Sequence, residues 1–196
     1  MNRTLPRFIV LAMLPLAGCI SFGAKPPASL LTLTAATPVP IGAQQDSATA
    51  KTIVISVPAV PQSLATARIP VQATPTSIAY VPEALWAEPP ARLFARLVAD
   101  TVTTRAGRVV VSTVQAIGDP SAELSGELRN FGIDAAARTA VVTFDGALRR
   151  AGTESVEKRR FEVRVPIAVI DAASAGVALN DAANQVAGQV ADWIGR

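Results

Sequence analysis

The hydrophobic positions of this chain change period along its length, and the changes divide it into elements. Phe8 to Leu16 is an apolar run broken only by Pro15. Leu30 to Leu33 is a short β-like run, and Thr34 to Lys51, rich in Ala, Thr, Pro, Gln and Asp, reads as a loop. Ile53, Val54, Ile55 and Val57 are β-branched and predict a strand that leaves through Pro58 and Pro61. Ile69 and Val71, then Ile78, Tyr80 and Val81, predict two short extended pieces, whose Pro70, Pro75 and Pro82 suit an edge or a hairpin. The spacing then becomes helical. Leu93, Phe94, Leu97, Val98 and Val102 share one side, Pro89 and Pro90 stand where a helix begins, and Gly107 is its stop.

Strand periodicity returns afterwards. Val109 to Val114 predicts a strand and Gly118-Asp119-Pro120 a turn. Glu123 to Ile133, Thr139 to Arg149 and Glu157 to Val169 alternate and are joined by short linkers, which predicts an antiparallel meander. Leu179, Ala183, Val186, Val190 and Trp193 recur at three- and four-residue steps and predict a second helix, capped by Ser174 or Asn180. Strands, helix, strands, helix, without regular βαβ alternation, is an α+β pattern: an antiparallel or mixed sheet with two amphipathic helices on one face.

The N-terminal run belongs to a different pattern. Arg3 and Arg7 precede it, and Ala17 and Gly18 follow it before Cys19. A basic start, an apolar run and small residues in that order predict a signal peptide over residues 1–18. The run falls well short of the roughly 20 residues that span a bilayer. Residues 19–29, with Gly23, Pro26 and Pro27, read as a tether, and 30–196 as the folded domain. Leu16-Ala17-Gly18-Cys19 resembles the lipobox of bacterial lipoproteins. That resemblance implies a diacylglycerol on the Cys19 thiol, cleavage before it and an acyl chain on the new amine, a multi-chain anchor that binds membranes stably. Ile20 rather than Asp after the cysteine points, by the enteric sorting rule, to the outer membrane facing the periplasm.

Composition then removes most enzyme chemistry. The 196 residues hold no histidine and one cysteine, so there is no His-based triad, no internal disulfide and no Cys/His metal cluster. The formal charge of +3 shrinks once the targeting segment is set aside, because without Arg3 and Arg7 the 18 basic side chains become 16, against 15 acidic ones. Ser155-Val156-Glu157-Lys158 matches S-x-x-K, but at a turn into a strand rather than at a helix start. Glu123 with Glu127, and Asp145 with Glu162, are carboxylate pairs that a scatter of surface acids produces by chance. Arg149, Arg150, Lys158, Arg159 and Arg160 form the densest basic cluster. It reads as a charged edge that resists strand pairing, with anionic headgroups or an acidic partner as the functional alternative. No aromatic residues interleave with it, so nucleic-acid binding has no support. No catalytic residue, no metal ligand and no cofactor other than the acyl groups on Cys19 is expected. Trp86 reads as a core anchor and Trp193 as an anchor or an interface residue.

Two stretches are more specific. Ile53-Val54-Ile55-Ser56-Val57-Pro58-Ala59-Val60-Pro61-Gln62-Ser63-Leu64 leads into Arg68-Ile69, and Ile78-Ala79-Tyr80 leads into Leu85-Trp86-Ala87-Glu88-Pro89 and a helix. This order resembles the ABC-type transport auxiliary lipoprotein family. The chain departs from it at Ala65-Thr66-Ala67, where an acidic residue is common, and at Pro90, where a large apolar residue is usual. The resemblance implies a non-catalytic outer-membrane component of an MCE-type lipid transport system. Its partners would be an MCE-domain protein and inner-membrane ABC transporter components, and some members are homo-oligomers. Pro58, Pro61, Leu64, Tyr80, Trp86 and Pro89 mark the motif and a candidate partner surface. The alternatives from the sequence are an assembly lipoprotein of another envelope machine, such as lipopolysaccharide export, and a periplasmic hydrolase.

Overall fold

A computed structural model describes residues 29–112 and 119–195. The lipobox residues Leu16, Ala17, Gly18 and Cys19 lie outside the described residues, as does the end of the strand expected over Val109 to Val114. The elements run β1 (Thr52–Ile55), β2 (Arg68–Thr74), β3 (Ser77–Leu85), α1 (Pro90–Thr101), β4 (Val109–Val111), β5 (Ala122–Asp134), β6 (Thr139–Arg150), β7 (Val156–Pro166) and α2 (Ala172–Ile194). A 3₁₀ turn at Gln62–Leu64 precedes β2, and a π-helical stretch, Val102–Ala106, extends α1.

The seven strands form one mixed sheet organised around β5. One edge of β5 pairs antiparallel with β6 along its whole length, and β6 pairs antiparallel with β7, giving the expected meander. The other edge of β5 is shared by two parallel strands. β1 takes the first part, with Ile55 opposite Leu124, and β2 the last, with Val71 opposite Ile133. Between them Ala59 bridges Glu127, and the chain then leaves the sheet through the 3₁₀ turn. β4 extends β1 in parallel and β3 pairs antiparallel with β2, so the proline-bearing hairpin stands at one edge.

Sterics and hydrophobic spacing explain the helices. Pro90 occupies the first turn of α1, where a missing N–H costs no helical bond. Gly107 ends the π-helical stretch at φ +63°, a left-handed turn that glycine adopts without strain. Leu93, Phe94, Leu97, Val98 and Val102 are all buried, as their spacing requires. α2 buries Ala175, Leu179, Ala182, Ala183, Val186, Ala187, Val190 and Ile194, and its alanines let it lie close to β6 and β7. Both helices meet the same sheet face, where Phe94, Phe144, Phe161 and Trp193 form a chain of ring contacts 5.3–6.4 Å apart.

Two boundaries differ from the sequence reading. α2 starts before Ser174, because Asp171 is its cap and accepts a 2.7 Å bond from the Ser174 N–H. Asn180 is two turns inside the helix and does other work, described below. β7 ends at Pro166 rather than at Val169. Val169 is 57% exposed and packs on no inner face.

Candidate functional site

The motif residues serve the architecture at two places. Pro58 is buried beside β5, next to Ala59, whose N–H bonds the Gly126 carbonyl and whose carbonyl receives the Leu128 N–H. Pro61 is exposed and starts the 3₁₀ turn, which drives Leu64 into the core at 1% exposure. Tyr80 is half-buried opposite Pro70, and the Arg68 guanidinium lies 4.0 Å from its ring centre. Trp86 is buried and meets Phe131 edge-on at 5.5 Å, with its Nε1 unpartnered. Pro89 is exposed and precedes α1 as its cap residue. The exposed members, Pro61 and Pro89, are thus turn-formers, while Leu64, Trp86 and Pro58 pack inside.

The N-terminal segment docks against this region. The Leu31 N–H bonds the Leu85 carbonyl and the Ala87 N–H bonds the Leu31 carbonyl, both at 2.8 Å, so Leu31 extends the sheet edge beside Trp86. Farther on, Asn180 Oδ1 accepts from the Thr34 N–H at 2.9 Å and Asn184 Oδ1 from the Ala36 N–H at 2.7 Å. Asn184 Nδ2 donates back to the Thr34 carbonyl at 2.9 Å. Two asparagines one turn apart on α2 therefore satisfy the backbone of an extended strap. The segment that follows the expected tether is thereby fixed to the fold by backbone bonds at both its ends.

The far end of α2 gathers arginines. Arg108 is buried and donates through Nε to the Gly195 carbonyl at 2.8 Å, while its Nη1 has no partner. Burial, and then the neighbouring Arg150, holds its pKa below the ordinary guanidinium range. Arg150 donates to the carbonyls of Ile194 and Trp193, and Arg105 forms a two-bond pair with Asp192. Cations at this terminus complement the partial negative charge of the last helical turn.

The sheet face away from the helices is polar and charge-matched. Glu123 pairs with Arg149 at 2.6 Å, and Asp145 takes two bonds from Arg160 and a longer contact from Arg129, which also reaches Glu127. Glu162 and Asp134 share Arg164. The Arg160 bond holds Asp145 below the usual carboxylate range. Asp134 is held low first by the Ala137 N–H and then by Arg164. The carboxylates with resolved shifts on this face favour the ionised form, whereas glycosidase chemistry needs one acid kept protonated near neutral pH. A cavity of about 240 Å³ opens on the same face between Leu64, Pro70, Gln72, Ile78, Val141 and Arg164. Its floor is Gly132, where a β-carbon would come within 2.4 Å of the Pro70 carbonyl oxygen.

The other sequence features fall where surface chemistry predicts. Ser155 lies in the turn before β7 and Lys158 on that exposed edge strand, so the S-x-x-K geometry does not arise. The basic residues do not form one patch: Arg149 stands opposite Val156, Lys158 opposite Ala147 and Arg160 opposite Asp145 on the open face, whereas Arg150 and Arg159 alternate to the helix-covered face. Arg150 pairs with Glu157, and Arg159 covers the Phe161 ring at 5.0 Å. Trp193 is half-buried against Phe161. Among the described residues no group of acids or thiols is arranged to hold a metal ion, and no helix is long and apolar enough to cross a membrane.

A family model described as "ABC-type transport auxiliary lipoprotein component" matches residues 31–191. No curated protein matches the chain. Solved structures share the fold, two of which are described by their likeness to this chain. A DUF330 protein from Xanthomonas campestris has a TM-score of 0.70 at 21% identity, over 85% of this chain and 94% of that one. A protein described as uncharacterized has a TM-score of 0.65 at 19% identity, over 74% of this chain and 92% of its own.

Proposed function

The chain belongs to the ABC-type transport auxiliary lipoprotein component family, and from that premise we propose that it is a non-catalytic part of an MCE-type lipid transport system, held at the outer membrane through Cys19. A transport-associated accessory role in the cell envelope follows from the family itself. The finer reading adds the anchor, the membrane and the partners. The acylated Cys19 holds the domain on the periplasmic face of the outer membrane, and the domain receives an MCE-domain protein that leads to an inner-membrane ABC transporter. The cargo is a phospholipid or another hydrophobic solute.

The observation that carries this reading is the strap. The segment following the lipobox and tether is built into the fold at Leu31, Thr34 and Ala36, so an anchor at Cys19 would hold the whole domain near the membrane from one fixed point on its surface. A positional role needs that and no reactive group. The ion-paired carboxylates of the open sheet face agree with such a role. The test is co-purification: the tagged full chain, cross-linked in envelopes and solubilised, is expected to bring down an MCE-domain protein and its ATPase. Recovery of lipopolysaccharide-export components in their place would overturn the reading.

A further inference from the structure

Several chain features meet at one end of the sheet. β2 runs parallel to β5, with Gln72 opposite Asp134, so the β2–β3 turn lies at the same end as the β5–β6 turn. Thr139 stands opposite Pro166, so β7 also exits there into α2. The strap approaches from this end: Leu31 sits beside Trp86, level with the start of β2, and pairs there in parallel with the chain leaving β3, which runs away from the β2–β3 turn. Leu31 lies over Gly176, Thr34 bonds Asn180 and Ala36 bonds Asn184, so strap and helix run in the same direction. Leu30 therefore lies toward the first turn of α2.

That end carries exposed apolar side chains beside polar turn residues such as Thr74, Thr76 and Arg138. Val177 is 74% exposed and Val169 57%, with Leu30 and Ile78 also exposed. A groove of about 440 Å³ runs between the end of β7 and the start of α2, lined by Val165, Pro166, Ile167, Ala173 and Val177. The acids nearby have partners: Asp171 accepts from the Ser174 N–H, Asp134 from Arg164, and Asp181, which lines the groove, from Gln185 Nε2. Arg105, Arg108 and Arg150 cluster at the opposite end of α2.

We propose that this end of the domain rests on the lipid bilayer, with Val169, Val177 and the β7–α2 groove at the boundary between headgroups and acyl chains. The inference builds on the anchor reading above. Ten residues lie between Cys19 and Leu30, and the fully extended chain from one to the other reaches about 40 Å at most. The anchor thus keeps the domain within about its own diameter of the membrane, and it attaches beside the groove. Apolar surface held that close to a bilayer is driven into it by the area it removes from water. Exposure alone does not single out this end, since Val156 is 53% exposed at the start of β7 and Val39 and Ile41 stand out from a loop. The entry point of the tether does. The arginine-rich end of α2 then points away from the membrane, toward an arriving partner.

The test compares Val177→Trp with Val156→Trp in the full chain, reconstituted into vesicles of phosphatidylethanolamine and phosphatidylglycerol that contain brominated lipid. Both sites are exposed, so both variants keep the fold, and wild-type emission from Trp86 and Trp193 is the common background. The added Trp at 177 is expected to be quenched at least twofold more than that at 156. Equal quenching, or more at 156, would overturn the proposal. So would protection of the Trp at 177 from acrylamide before vesicles are added, which would put the groove under a second copy or another part of the chain. The mass of the N-terminal peptide separates this result from the anchor reading. If that mass shows a free thiol, Cys19 is coupled to a maleimide-bearing lipid and the same comparison decides the orientation.

Discussion

Leu31 lies so close over Gly176 that a β-carbon on the helix at that position would come within 2.9 Å of Leu31 Cδ2. The glycine makes room for the strap, at a cost to intrinsic helix stability of about 1 kcal/mol relative to alanine. Gly176→Leu is therefore expected to keep α2 and displace the strap. Hydrogen exchange at the Leu31 and Ala87 amides, which bond across to Leu85 and Leu31, should accelerate at least tenfold while the β5–β6 amides stay protected. Unchanged exchange at those two amides would show that the strap does not depend on this contact.

Gly132 is the second close approach, with the Pro70 carbonyl oxygen 2.4 Å from a β-carbon placed there. That oxygen is backbone and cannot swing aside, so the parallel β2 strand must shift. Gly132→Ala is expected to lower stability by about 1–3 kcal/mol, as for other overpacked sites, read as a lower urea midpoint. A midpoint equal to that of the wild type would contradict the placement of β2 along β5.

Trp86 fills the space between Phe131 and the strap, and its Nε1 is buried without a partner. Trp86→Ala should cost about 3–5 kcal/mol. Trp86→Phe should cost much less, because losing the unsatisfied N–H offsets part of the lost packing. A Trp86→Phe loss as large as that of Trp86→Ala, measured by thermal or urea unfolding, would contradict the packing of this ring against Phe131.

Much of this architecture is legible in the residues, and the illegible part has a common cause. Helical spacing from Leu93 to Val102, Pro90 at the helix start and the alternation of β6 are local properties, and each produces the element it predicts. The sharing of one β5 edge by β1 and β2 is not local. Parallel pairing depends on chain far away in sequence, and both strands are short. The strap was equally hidden. Asn180 has the chemistry of a cap, and it uses that chemistry on the Thr34 backbone instead of on its own helix. Asp171 caps α2 because the chain emerges extended from β7 at that point, which periodicity further along the helix does not reveal. Arg108 looks like any surface arginine in sequence, and only the fold shows it buried under the end of α2.

Acid should weaken the sheet's open face in a defined direction. Asp145 and Asp134 have folded pKa values below the ordinary 3.8. Their stabilising effect is fully present above the unfolded value and is lost as pH falls through the folded one. Asp145→Asn should therefore be less stable than the wild type at pH 7, with a difference that holds down to about pH 5 and closes below about pH 4. The chain has no histidine, so no imidazole step should appear between pH 5 and 8. A difference that widens in acid would contradict the Asp145–Arg160 pairing.

The anchor at Cys19 is the premise on which the positional account stands, and the mass of the N-terminal peptide tests it most directly. Protein isolated from the envelope is expected to begin at Cys19 and to carry a diacylglycerol and an N-acyl chain. Cys19→Ser should accumulate as uncleaved precursor, and globomycin should produce the same precursor from the wild type. A peptide that retains residues 1–18, or one that begins at Cys19 with a free thiol, would contradict the account.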